Sequence, residues 1–231
     1  MSETLKVFYQ VERAGCFRLS DGGGPLGFDV TLALLLDDVQ DLYKCDVLVE
    51  TGCFVGDTTA YLARRYPHLP VFSCDVDYGH AAVTRQRVAA ESNAVVSHAD
   101  SPTLVADVAA CYERPLFFLD AHWDEEWPLV RELDAITAGI AVIHDFDIGH
   151  PRFAFDHYNE VVCGPEVLAA MAQPPARYFT PDPHADHPLP CLQVGRRAGA
   201  GIVAIGVDTR PLEQHPHLIT RTPPVRAAAT R

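Results

Sequence analysis

The stretch VLVETGCFVGDTT, residues 47–59, joins a short apolar run to a loop that contains two glycines. The β-branched run within Asp46–Glu50 is typical of a strand. Asp57 or Thr58 can cap a helix that begins directly after the loop and continues through Tyr66. These residues therefore predict a strand, a glycine loop and a helix in direct succession.

The same alternation of apolar runs and helical patterns continues on both sides of this stretch. Strands that are apolar on both faces and are separated by helices are typical of a parallel sheet that helices cover on both sides. The predicted fold class is therefore α/β, a doubly wound, mostly parallel Rossmann-like sheet. The further predicted strands are 71–74, 94–98, 116–119 and 140–143, and the predicted helices besides 57–66 are 28–43, 79–91, 101–111 and 125–138.

The pattern is less regular after Asp145. We expect a helix from Phe153 that is interrupted at Gly164-Pro165 and resumes towards Met171, followed by a strand over 177–180. Residues 189–195 and 201–207 have strand character and predict an antiparallel hairpin at the edge of the sheet. We expect a single domain over residues 1–208, with a helical or lid segment at 1–44, and an extended tail rich in proline and arginine over 209–231.

The composition limits the kinds of partner that the chain can bind. Lys and Arg total 18 against 31 Asp and Glu, which gives a net charge of −13. A polyanion is repelled by phosphate backbones and anionic lipids, so we expect neither nucleic acid nor a membrane as partner. The N-terminus resembles no export signal, and the seven cysteines include no Cys-x-x-Cys pair, so a cytoplasmic protein with reduced thiols is expected. The arginine-containing tail leaves contact with an acidic neighbouring subunit, and hence a homo-oligomer, open.

Ligands of doubly wound sheets lie beyond the carboxyl ends of the strands. The first loop reads Gly-x-x-x-Gly, whereas a dinucleotide loop needs Gly-x-Gly-x-x-Gly, so a cofactor without phosphates is favoured. Asp75 follows the second strand and is placed to accept hydrogen bonds from both hydroxyls of a ribose. Together with the acidic residues at the strand ends, these features favour a cationic nucleoside, S-adenosylmethionine. The acidic and polar groups at the five strand ends are residues 50–56, 75–77, 100–101, 120 and 145.

Residues 48–59 followed by 71–88 resemble the first two motifs of class I S-adenosylmethionine-dependent methyltransferases. The stretch FLDAHW, residues 118–123, resembles the catechol O-methyltransferase-like and sugar O-methyltransferase branches of that family. The resemblance implies that Asp75 holds the ribose, Val76 flanks the adenine and Asp120 lies near the sulfonium. It also implies that Glu50, Thr51, Gly52, Cys53, Phe54 and Gly56 surround the methionine end of the cofactor, and that Asp100 and Ser101 reach the edge of the adenine.

Methyl transfer to a hydroxyl needs a base or a metal ion. His122 is the first choice for the base because an imidazole titrates near neutrality, and Asp124 is the second. Asp120 and His144 complete the candidate catalytic set. In the related O-methyltransferases an acid after strand four and an acid-amide pair after strand five bind magnesium. By that resemblance Asp120, Asp145 and Asp147 are the candidate Mg²⁺ ligands, with His144 or His122 in place of the amide, because Phe146 stands at the amide position.

The favoured hypothesis is an enzyme that methylates a hydroxyl of a small polar molecule, such as a sugar or a catechol-like ring. One alternative is a metal-dependent nucleotide-sugar transferase that uses Asp75-Val76-Asp77. Another is a protein that binds the cofactor without catalysing a reaction.

Overall fold

A computed structural model describes residues 2–14, 23–121, 127–185 and 197–225 of the chain. Its strands are β1 Val47–Thr51, β2 Val71–Asp75, β3 Ala94–His98, β4 Pro115–Leu119, β5 Gly139–His144, β6 His157–Tyr158, β7 Val161–Val162, β8 Tyr178–Pro181, β9 Ala200–Ile205 and β10 Leu218–Arg221. Its helices are α1 Glu3–Gln10, α2 Val30–Tyr43, α3 Asp57–Arg65, α4 Tyr78–Arg87, α5 Ser101–Cys111, α6 Leu129–Ala135, α7 Pro165–Ala170 and α8 Arg210–Glu213, with a 3-10 turn at Pro25–Phe28.

Eight strands form one sheet in the order β10-β8-β9-β5-β4-β1-β2-β3. The five strands from β1 to β5 are parallel to their neighbours in this group, whereas β8, β9 and β10 join antiparallel to their partners. The mostly parallel α/β sheet that the sequence predicts is confirmed. The chain order reverses between β1 and β4, and the crevice at such a point is where doubly wound sheets bind ligands.

Two apolar layers cover the sheet, one on each face. In β1 the side chain of Leu48 packs into one layer, while those of Val47 and Val49 pack into the other. The same alternation divides β4, where Phe118 and Phe117 lie on opposite faces and are both fully buried. The wholly apolar strands of the sequence are therefore apolar because both of their faces are covered.

The helix predicted from Phe153 is wrong. This segment instead contains the hairpin of β6 and β7, which Asn159 turns with φ +52°. Upstream, the backbone of Ala154 bonds to that of Arg197 and Gly199, at 2.7 and 3.0 Å. Pairing with a distant part of the chain therefore replaces local helical bonds, and only α7 has helical structure here.

The C-terminal strands also differ in detail from the prediction. β9 lies inside the sheet between β5 and β8, and β10 forms the edge against β8. The expected extended tail is wrong for residues 210–221, which contain α8 and β10, because Leu212 is fully buried and anchors this segment. The other strand of the predicted hairpin, residues 189–195, lies outside the described residues. Among the described helices, none has both the length and the apolarity to cross a bilayer.

Candidate active site

A cavity of about 200 Å³ lies at the carboxyl ends of β1, β4 and β5. Carboxylates dominate its polar lining, so the electrostatic environment favours a cationic or hydroxyl-rich occupant over an anionic one. It is lined by Gly23, Gly24, Gly27, Glu50, Gly52, Cys53, Phe54, Asp57, Thr58, Asp120, His144, Asp145 and Ala198.

The loop after β1 approaches the end of β4 closely at Gly52. This residue has φ +77°, and a Cβ added there would lie 2.7 Å from the carbonyl oxygen of Asp120. Only glycine combines this conformation with this approach without strain. Phe54 also has a positive φ, of +46°, which is unusual for a bulky residue and is typical of strain at functional sites.

The first amides of this loop bond within the protein. The N–H groups of Gly52 and Cys53 both donate to the carbonyl oxygen of Cys74, at 3.0 and 2.9 Å. The N–H of Phe54 donates to Oδ2 of Asp75 at 2.9 Å. A loop that cradles a phosphate directs such amides at the ligand instead, and these three amides do not.

Glu50 is the buried acid of the site, with 1% of its surface exposed. Its Oε2 accepts a hydrogen bond from Ser73 Oγ at 2.6 Å and another from the hydroxyl of Thr59. Burial raises the pKa of Glu50 to about 8, and the negative charges of Asp120 and Asp75 raise it further against the lowering effect of the two hydroxyls. Glu50 is therefore mostly protonated near neutrality, and a cation placed beside it would favour its ionised form.

Asp75, predicted to bind the ribose, joins two loops in the structure. Besides the bond from Phe54, its Oδ1 accepts from the N–H of Asp77 at 2.9 Å, and His80 Nδ1 lies 3.6 Å away. The carboxylate of Asp77 caps α4 by accepting from the N–H of His80, and this bond lowers its pKa. Each carboxylate of the Asp75-Val76-Asp77 motif thus has a local structural role.

Asp120, His144 and Asp145 form one cluster at the ends of β4 and β5. His144 Nδ1 lies 2.9 Å from Asp120 Oδ1 and 3.5 Å from Asp145 Oδ2. One ligand atom from each residue lies within 4.8 Å of the others. The Asp120 side chain is 24% exposed, against 6% for each of the other two, so it is the member most accessible from the cavity. Thr51 positions it, since its hydroxyl accepts the N–H of Asp120 at 3.2 Å.

Of the predicted magnesium ligands, Asp120, Asp145 and the alternative His144 form this cluster, whereas Asp147 does not join it. The Asp147 carboxylate accepts from the N–H of Gly149 at 2.7 Å. Within the described ranges, Asp147 belongs to no group of three metal-ligating side chains whose atoms lie within 4.8 Å of one another. Phe146 is fully buried against Tyr178 and Gly201, so the side chain at the amide position belongs to the core. His144 replaces Asp147 because β5 extends to residue 144 and Asp145 then turns the chain with φ +53°.

Other predicted residues lie along the same edge of the sheet but do not line the cavity. Val76 is 51% exposed beyond β2, and Asp100 is an exposed residue at the start of α5 whose carboxylate lies 3.5 Å from Arg131. Ser101 is buried in the first turn of α5, and Gly56 is the N-cap of α3. The predicted bases His122 and Asp124 lie outside the described residues.

Asp57 and Thr58, whose position in the sequence predicts only helix caps, also line the cavity. The hydroxyl of Thr58 accepts the N–H of Leu26 at 2.9 Å and so joins the 3-10 turn to the first turn of α3. Arg87 Nη1 donates to Asp57 Oδ1 at 2.6 Å. No local sequence pattern predicts these contacts, because they join residues at least 30 positions apart.

No family model matches this chain, and no curated protein matches it. Solved structures with a similar fold include an rRNA methylase from Streptococcus thermophilus, with 16% identity and a TM-score of 0.46 over 75% of this chain and 96% of the methylase. A proposed caffeoyl-CoA O-methyltransferase from Staphylococcus aureus shares 14% identity, with a TM-score of 0.40 over 50% of this chain and 56% of that one.

A third similar structure is a coclaurine N-methyltransferase bound to N-methylheliamine and S-adenosylhomocysteine. It shares 17% identity, with a TM-score of 0.34 over 50% of this chain and 36% of its own. The match thus covers little more than half of the S. aureus protein and about a third of the N-methyltransferase.

Proposed function

We propose that this protein binds S-adenosylmethionine in the cavity and transfers a methyl group to a hydroxyl oxygen of a small polar molecule. One observation carries the proposal: an acidic cavity at the point where the strand order reverses, beside a glycine loop whose first amides bond within the protein. Amides used in this way are not available to a pyrophosphate, and the carboxylates favour a positive charge. Both features support a cationic nucleoside without phosphate.

The residues present fit this cofactor. Glu50 and the loop from Gly52 to Phe54 are assigned to the methionine end, and Asp75, joined to the same loop, to the ribose. Val76, Asp100 and Ser101 are assigned to the adenine. S-adenosylmethionine, when bound, supplies a methyl group on a positively charged sulfur. The nearby carboxylates of Glu50 and Asp120 stabilise that charge on binding.

The Asp120–His144 pair is the proposed acceptor of the proton that the hydroxyl loses. Asp120 is its exposed member and contacts the acceptor, and His144 lies behind it at hydrogen-bond distance. A proton that Asp120 takes from the hydroxyl can pass to Nδ1 of His144, because an imidazole is ordinarily a stronger base than a carboxylate. Positioning of the hydroxyl by Asp120 also holds the nucleophile for in-line attack. The polar lining favours a hydroxyl-rich acceptor, such as a sugar or a catechol-like ring.

A divalent ion in this cluster would be held by Asp120, Asp145 and His144. One imidazole with two carboxylates suits zinc or manganese better than magnesium, which prefers oxygen ligands alone. Such an ion would replace the hydrogen bond between His144 and Asp120. Metal-assisted and metal-free transfer are therefore distinguished by the effect of EDTA on turnover.

Calorimetry with S-adenosylhomocysteine tests the proposal directly. We expect saturable binding of one molecule per chain that persists in EDTA. No observation in the described residues supports the nucleotide-sugar transferase alternative. Titration with a UDP-sugar and Mn²⁺ tests it. Absence of saturable binding of S-adenosylhomocysteine by folded protein would refute the proposal. Binding without transfer of labelled methyl groups to a panel of polyols and catechols would favour the non-catalytic alternative.

A further inference from the structure

A second group of metal-ligating side chains lies where α2 meets the segment between α8 and β10. It consists of Asp38 from α2 and of His215 and His217, which flank Pro216. None of the three lines the cavity described above. One ligand atom from each lies within 4.8 Å of the other two.

The geometry of this group is close to that of a metal site. His215 Nε2 lies 3.2 Å from Asp38 Oδ2, and the rings of His215 and His217 are 5.5 Å apart at an angle of 75°. Bonds of about 2.0–2.2 Å to a tetrahedral zinc ion place two ligand atoms roughly 3.3–3.6 Å apart. The atoms of Asp38 and His215 nearly satisfy this spacing already, and a His217 ring nitrogen lies within 4.8 Å of both.

The backbone holds the two histidines in place. The N–H of His215 donates to Leu212 O at 3.2 Å, and the His215 carbonyl accepts from Leu218 N at 3.3 Å. The His217 carbonyl accepts from Asp182 N at 2.8 Å. The His215 side chain is 7% exposed, while that of Asp38 is 49% exposed. The His215 ligand is thus held in place by its surroundings, whereas the Asp38 ligand is open to solvent. This arrangement leaves room for an ion and its water.

We propose that Asp38, His215 and His217 bind a divalent transition-metal ion of the zinc class and so fasten the C-terminal edge of the sheet to α2. Imidazole nitrogens with one carboxylate are a donor set that suits zinc, whereas calcium and magnesium prefer oxygen alone. Water completes the coordination. This site is independent of the proposed methyl transfer.

Coordination changes the proton on His215. In the structure its Nδ1 lies 3.2 Å from the N–H of His217 and accepts from it, so the neutral ring carries its proton on Nε2, towards Asp38. An ion bound at Nε2 takes the place of that proton, which is released to solvent or moves to Nδ1. If the proton moves to Nδ1, the hydrogen bond from the His217 N–H is lost.

Zinc titration of the metal-free full chain by calorimetry tests the site. The comparison uses a His144→Gln background, which removes the cavity cluster, with and without His215→Gln and His217→Gln together. We expect His144→Gln protein to bind one ion, and the two added substitutions to weaken this binding by more than about tenfold. Zinc should raise the Tm of the His144→Gln protein and leave that of the triple variant unchanged, because only a folded site binds the ion.

Asp38→Asn provides a second variant at an exposed position, should the histidine substitutions disturb folding. It keeps the shape of the side chain and is expected to weaken zinc binding in the same His144→Gln background. Cobalt absorption reports the site independently, because Co²⁺ in a tetrahedral site absorbs visible light more strongly than the octahedral aqueous ion. No saturable zinc binding by the His144→Gln protein, or binding that the substitutions at Asp38, His215 and His217 leave intact, would overturn the proposal.

Discussion

The backbone N–H of Phe54 donates to Oδ2 of Asp75 across 2.9 Å, and this bond joins the loop after β1 to the end of β2. The two elements that the sequence assigned to the methionine end and to the ribose of one cofactor are therefore in direct contact. Since Phe54 has φ +46°, the bond also helps to hold a strained residue at the rim of the cavity.

Asp75→Asn should weaken the binding of S-adenosylhomocysteine about 10–100-fold, because a charged acceptor for the ribose hydroxyls is replaced by a neutral one. Asp77→Asn is the matched control, since Asp77 caps α4 and has no assigned role in the cofactor site. Calorimetry measures both. Equal losses in the two variants would indicate a structural effect of the motif and count against the ribose assignment.

Glu50→Gln should change how the free energy of unfolding depends on pH. The pKa of Glu50 is raised from 4.5 to about 8 in the folded protein, so between these values the folded state keeps a proton that the unfolded state has released. Stability is therefore lost as the pH rises from about 4.5 to about 8, by up to about 1.4 kcal/mol per pH unit. The variant lacks this contribution, and urea unfolding at several pH values should show a flatter profile.

The readout for Glu50→Gln is the slope with pH, because a lost hydrogen bond would shift all values equally. Glu113→Gln, at a side chain that is 87% exposed, is the control for the substitution itself. Parallel profiles for wild type and Glu50→Gln would show that Glu50 is ionised throughout this range in the folded protein.

Gly52→Ala should destabilise the protein by about 2–5 kcal/mol, because strain in the left-handed region adds to a collision with the Asp120 carbonyl. Gly149→Ala separates the two effects. Gly149 has φ +72° with nothing within 4 Å of an added Cβ, so about 1–2 kcal/mol is expected from strain alone. Denaturant unfolding compares them, and similar losses would mean that the β1 loop does not pack against β4 as described.

His144→Gln should lower kcat for methyl transfer about 10²–10⁴-fold while the affinity for S-adenosylhomocysteine stays the same. The proposed role of His144 is in accepting a proton, which cofactor binding does not require. His68→Gln, at an exposed histidine in the loop before β2 and outside the cavity lining, should leave both quantities unchanged. Unaltered turnover in His144→Gln would remove the Asp120–His144 pair as the base.

Much of the parallel core could be predicted from the sequence. β3 and α5 begin and end at the predicted residues, and β1, β2, β4 and β5 lie within one or two residues of their predicted bounds. Runs such as Leu116–Leu119 are apolar at every position, which reports burial on both faces whatever the rest of the chain does. The order of acids at the strand ends follows from the same local patterns.

Tertiary structure alone decided which of the candidate ligands meet. His144 rather than Asp147 joins Asp120 and Asp145, since the last residue of β5 and the positive φ of Asp145 set the direction of the side chains. The hairpin in place of the helix from Phe153, the edge strand formed by residues 218–221 and the meeting of Asp38 with His215 depend on pairing between distant segments. Local sequence encodes periodicity and turn chemistry, whereas such contacts depend on how the whole chain packs, which no short pattern records.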